Sequence, residues 1–182
     1  MSENGDIERS AVISPCGTYR YRLDRKFTTM EGLYPQRQIV FFMLNPSTAD
    51  GIEDDPTIRR CMGFAQAWGY SHLTVLNLFA YRATDPKNLP WLTHVAVGPE
   101  WEKHTNEVLK NSSRVICGWG ANVANQSGWM TWQEKVIATI KAHLQPEALG
   151  ITKQGYPRHP LYMKADSEPK SLDALLQALE SE

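Results

Sequence analysis

Apolar residues in this chain fall into short runs, and these alternate with segments of helical periodicity. Residues 38–44 (Gln38, Ile39, Val40, Phe41, Phe42, Met43, Leu44) are apolar after the first position, the pattern of a strand covered on both faces. The run stops at Asn45-Pro46-Ser47, where proline removes a ladder donor. Residues 72–78 read as a second buried strand, 114–118 as a short third and 147–151 as a last one. Residues 19–23 alternate aromatic or apolar with basic residues, as an edge or antiparallel strand does. Asp55-Pro56 opens a helix, with aspartate as cap and proline in the first turn. Ile58, Met62, Phe64 and Ala65 follow at helical spacing, and Gly69 supplies the stop. Further helices are predicted from Pro99 or Glu100 to Leu109, from Trp129 or Thr131 to Leu144, and over 172–179.

This alternation of strand and helix predicts an α/β fold: a three-layer sandwich with a mostly parallel central sheet and helices on both faces. In such sheets ligands bind outside the carboxyl ends of the strands. Three predicted strand ends lead directly into polar loops, at Asn45, at Asn77 and at Gly118. No linker, repeat or low-complexity block divides the chain, so residues 1–182 read as one domain, with 1–15 a candidate flexible tail.

Composition narrows the function. At 42% hydrophobic and 21% charged the chain is ordinary for a globular protein, which excludes a wholly disordered one. No apolar run approaches the roughly 18 residues of a membrane span, and the polar, acidic start resembles neither a secretory signal nor a transit peptide. A cytoplasmic protein without a membrane partner is the expectation. Cys16, Cys61 and Cys117 form no Cys-x-x-Cys pair, which fits reduced thiols. The five histidines have no metal-ligand spacing, so neither metal nor cofactor is expected. A net charge of −1 lacks the basic excess of a typical nucleic-acid binder. A local basic face from Arg59, Arg60, Arg82, Lys87, Arg158 and Lys164 stays open. Nothing in the sequence addresses oligomeric state.

Each candidate site residue has a structural and a functional reading. Asn45, with Pro46 and Ser47, forms either a self-satisfied turn or a set of donors and acceptors for a ligand. The carboxylates of Asp50, Glu53, Asp54 and Asp55 either cap the next helix or do acid–base work. Asn77 ends a buried run, so its amide either bonds a neighbouring loop or reads a planar ligand edge. Arg82 and Lys87 flank Asp85-Pro86 and either hold an anion or dress the surface. His159 sits between prolines in Tyr156-Pro157-Arg158-His159-Pro160, rigidly placed for structure or for catalysis. Trp68, Trp119, Trp129 and Trp132 read as core or interface anchors, although Trp119, between two glycines at a strand end, is also placed to stack on a base.

Two resemblances attach to these motifs. Asn45-Pro46-Ser47-Thr48-Ala49-Asp50, Asp55-Pro56-Thr57-Ile58-Arg59-Arg60 and the segment from Asn77 to Pro86 resemble a family of uncharacterised bacterial and phage proteins, a domain of unknown function, over residues 19 to about 165. More distantly, the motif order is similar to the uracil-DNA glycosylase superfamily: an apolar strand ending in Asn45-Pro46, a strand ending in Asn77 followed by Arg82, a strand running into Gly118, and a late His159-Pro160 loop. That resemblance implies an enzyme acting on the N-glycosidic bond of a nucleobase, in DNA or in a free nucleotide. It implies Asn45, His159 and Asp50 as the catalytic set, with Pro46, Ser47, Asn77, Arg82 and Trp119 holding the substrate. A non-catalytic nucleotide or modified-DNA binding protein would use the same cleft. The chain departs from the superfamily pattern at Met43, Ser47 and Leu161, where glycine, glycine or tyrosine, and serine are usual.

Overall fold

The computed structural model describes residues 7–27, 37–47, 53–90, 94–122 and 129–181. Among them one seven-stranded sheet is formed by β1 (Ile7–Ile13), β2 (Arg20–Phe27), β3 (Gln38–Met43), β4 (His72–Asn77), β5 (Arg114–Cys117), β6 (Pro146–Ala148) and β7 (Lys170–Ser171). The strand order is β1-β2-β4-β3-β5-β6-β7. The helices are α1 (Pro56–Ala67), α2 (His94–Val97), α3 (Trp101–Asn111), α4 (Trp129–Lys141) and α5 (Leu172–Glu180).

The sheet is mixed, which corrects the expectation of a mostly parallel one. β4-β3-β5-β6 is parallel, whereas β1 with β2, β2 with β4, and β6 with β7 pair antiparallel. Residues 14–19 join β1 to β2 and are too few for the crossover of about a dozen that a parallel pair requires. Residues 7–13, read from the sequence as part of a tail, form the β1 edge.

Side chains alternate across the parallel centre. Val40, Phe42, Leu76, Val115 and Cys117 enter one core, which Trp101, Val108 and Leu109 of α3, Val136 and Ile140 of α4 and Leu172 of α5 complete. Ile39, Phe41, Leu73, Val75 and Ile116 enter the other, under Ile58, Cys61, Met62 and Phe64 of α1. Helices thus cover both faces, in three layers. α1 begins as its sequence predicts: Asp55 Oδ1 accepts from Ile58 N–H at 2.8 Å and Pro56 takes the first turn, while Gly69 follows the helix at φ 73°. Asp85-Pro86 opens only a 3-10 turn, Pro86–Asn88, with Asp85 accepting from Lys87 N–H at 2.9 Å.

Candidate functional site

The carboxyl ends of β3, β4 and β5 are laced by backbone hydrogen bonds that continue past the strands. Leu78 N–H donates to Met43 O at 2.9 Å, Gly118 N–H to Phe42 O at 2.8 Å, and Ala83 N–H to Pro46 O at 3.0 Å. The His159 loop is tied down the same way. Arg158 N–H donates to Gly150 O and Gly120 N–H to Pro157 O, both at 2.9 Å, and the Arg60 guanidinium of α1 donates to Met163 O. Gly118 makes the close approach possible, since a Cβ there would stand 2.8 Å from Pro160 Cδ. These loops enclose a polar cleft of about 240 Å3, and Asn45, Ser47, Asn77, Trp119 and His159 all line it. A neighbouring cavity of about 330 Å3 shares Trp119, Asn122 and His159 with it.

The lining groups differ in what they can still offer. Asn45 Nδ2 donates to Ala83 O at 2.8 Å and Pro46 O at 3.1 Å, so both its donors are engaged and its carbonyl oxygen is what a ligand can meet. Asn77 is 5% exposed, and among the described residues no hydrogen bond engages its carboxamide. Its backbone carbonyl accepts from Trp101 Nε1 at 2.7 Å, which holds the strand end in place. His159 Nδ1 accepts from Leu161 N–H at 3.4 Å, so the neutral ring carries its proton on Nε2. Burial pushes its pKa below the ordinary 6.5, against the opposing charge of Asp55. Trp119 is a wall of both cavities yet 1% exposed, its ring edge-on to Phe42 at 6.5 Å. It is a core residue more than a stacking platform.

Other predicted residues lie elsewhere. Arg82 is not part of the cleft lining; its Nη1 donates to Gly17 O at 3.0 Å and braces the turn between β1 and β2. Asp54 turns away into an ion pair with the fully buried Arg25, Nε to Oδ1 2.6 Å, which Arg9 joins at 3.0 Å. Asp50 lies outside the described residues. The basic face is largely engaged internally: Arg59, Arg60, Arg82 and Arg158 each donate to a backbone carbonyl.

Two charged residues join the cleft. Asp55, read as either a helix cap or an acid–base group, caps α1 and also lines the cleft with His159. Arg20 is 4% exposed, lines the cleft, and has a buried Nε with no hydrogen-bond partner. No carboxylate among the described residues comes within 4.0 Å of its guanidinium in an ion pair. Burial lowers its pKa to about 10, which leaves it charged at neutral pH. The alternation Tyr19-Arg20-Tyr21-Arg22 reads as an ordinary half-exposed strand, so no local signal distinguishes Arg20.

A larger cavity of about 790 Å3 lies between α2, α3 and α4, with Tyr19, Trp101 and Trp132 among its walls. It is mostly apolar and gathers none of the predicted residues, so the smaller polar cleft is the candidate site.

Fold and cleft together define an α/β protein with a polar cleft at the carboxyl ends of its parallel strands. The chain belongs to the family described as "Protein of unknown function (DUF1643)", whose model matches residues 20–161 and so spans the cleft residues from Arg20 to His159. No curated protein and no solved structure matches the chain.

Proposed function

We propose that the chain is a uracil-DNA glycosylase-like protein that hydrolyses the N-glycosidic bond of a nucleobase, in DNA or in a nucleotide. The observation that carries this reading is the convergence of Asn45, Asn77 and His159 on one polar cleft. Its volume of about 240 Å3 lies under the roughly 300–1,000 Å3 of drug-sized ligand pockets and suits a single ring. The base enters flipped out or from a single strand. Asn77 pairs with the base edge through its unengaged donor and acceptor. Water attacks C1′ as the C1′–N bond breaks, and the bonding pair leaves with the base. Asn45 Oδ1 accepts a hydrogen bond from that water, and His159 Nε2–H donates to the negative charge growing on the base. The sugar keeps the hydroxyl and the base takes up the proton.

The test is release of free base from oligonucleotides and nucleosides carrying uracil or modified pyrimidines. Asn77→Ala is the variant of choice, because Asn45→Ala would also remove two internal hydrogen bonds. Release by the parent and its loss in a natively folded Asn77→Ala protein support the reading. Absence of release from every substrate removes it. A second reading, a nucleotide-binding protein without catalysis, draws on the engagement of both Asn45 donors in holding loops together. It expects ligands to raise Tm with no product formed.

A further inference from the structure

Arg20 sets a physical problem that the rest of the fold does not solve. A buried guanidinium loses its hydration, and the loss is offset only by a paired anion or a full set of acceptors. Arg25, on the same strand, has its anion: the Asp54 carboxylate pairs with it, and the Asp24 carbonyl at 2.7 Å and the Ser10 carbonyl at 3.5 Å accept from Nη1, although its Nη2 is buried without a partner. Arg20 pairs with no carboxylate among the described residues, and its Nε is buried without a partner. Asp55, the anion that acts on it most, is held by its capping bond to Ile58 N–H and stays beyond ion-pair distance. Arg25 and Arg82 add positive potential. Arg20 lines the cleft together with Thr57 of the first turn of α1.

We propose that Arg20 is the base of an oxyanion subsite, where it takes a carboxylate or phosphate group of the ligand in a two-pronged hydrogen bond while Asn77 holds the adjoining ring. The ligand is therefore an anionic one: a pyrimidine with a ring carboxylate, or a base whose phosphate reaches the cleft. A guanidinium matches both planar carboxylate and phosphate edges. The inference rests on the cleft as a ligand site and not on bond cleavage, and its test reads binding alone.

The experiment is calorimetric titration of the full chain with uracil, orotate, uridine monophosphate and inorganic phosphate, using the parent, Arg20→Met and Arg20→Lys. Orotate binding about 10- to 100-fold tighter than uracil, and losing that margin in Arg20→Met, assigns the subsite to a ring carboxylate. The same Arg20-dependent margin for the monophosphate or phosphate assigns it to a phosphate. Equal affinity for uracil and all three oxyanions overturns the subsite while leaving base recognition standing. An oxyanion margin that survives Arg20→Met overturns it too. Melting provides the second readout: methionine keeps the stem's packing and removes an unpaired charge, so Tm holds or rises, whereas a marked fall shows Arg20 to be a structural cation. Should the methionine variant not fold, Arg20→Lys decides, with a reduced margin expected and an unchanged one overturning the proposal.

Discussion

Two buried arginines on β2 sit five residues apart and meet opposite fates. Arg25 is fully buried and closes an ion pair with Asp54, so it fastens the segment before α1 to β2. Arg20 is 4% exposed, faces the cleft and has no such partner. The first arrangement satisfies its charge within the fold. The second keeps a charged, dehydrated donor set in place for something outside the chain. Burial of a cation therefore marks either a clamp or a site, and its partners decide which.

The largest effect should come from breaking the clamp. Asp54→Ala leaves the Arg25 charge buried and uncompensated, so urea unfolding should show a loss of about 3–5 kcal/mol. A loss below about 1 kcal/mol would erase the contrast between the two arginines. The opposite signature belongs to the cleft. If bases are released, His159→Ala should slow release by about 100- to 1,000-fold while Tm stays near the parent value. Gly118→Ala tests the link between scaffold and site: the new Cβ meets Pro160, so about 1–3 kcal/mol of stability is lost and His159 is displaced, read as weaker ligand binding. Asn45→Ala removes hydrogen bonds to Pro46 O and Ala83 O and should cost about 1–2 kcal/mol, again by urea unfolding.

Acid should weaken both regions by smaller steps. Burial alone would raise the Asp24 carboxyl, but hydrogen bonds from His72 and Thr74 and the charge of Arg22 hold its pKa below the ordinary 3.8. That contribution is present above 3.8 and is lost as pH falls through the lower folded value. His159 is depressed below 6.5, so the unfolded chain takes up its proton first and the fold loses stability as pH drops under 6.5. Urea unfolding across this acid range should show midpoints falling in both windows.

Much of the fold was legible along the chain. The apolar runs at 38–44 and 72–78 correspond to β3 and β4, and the Asp55-Pro56 signal to the start of α1. The alternation at 19–23, read as an edge or antiparallel strand, corresponds to the start of the antiparallel β2, whereas β1 was not legible, because Ile7–Ile13 mixes charged with apolar residues. Among candidate residues, Asn45, Asn77 and His159 stood out because each follows an apolar run or sits between prolines. Their meeting in one cleft had no local signal, since β3, β4 and the His159 loop are brought together by long-range hydrogen bonds.

The sequence by itself determined where the strands and helices form and which polar residues stand at strand ends, since periodicity, caps and prolines act within a few neighbours. Only the tertiary structure decided which charges are paired. It set Asp54 against Arg25, engaged Arg82 with Gly17, made Trp119 a core wall and left Arg20 facing the cleft. Pairing depends on distances of a few ångströms between residues far apart in the chain, and those distances exist only once the sheet has closed.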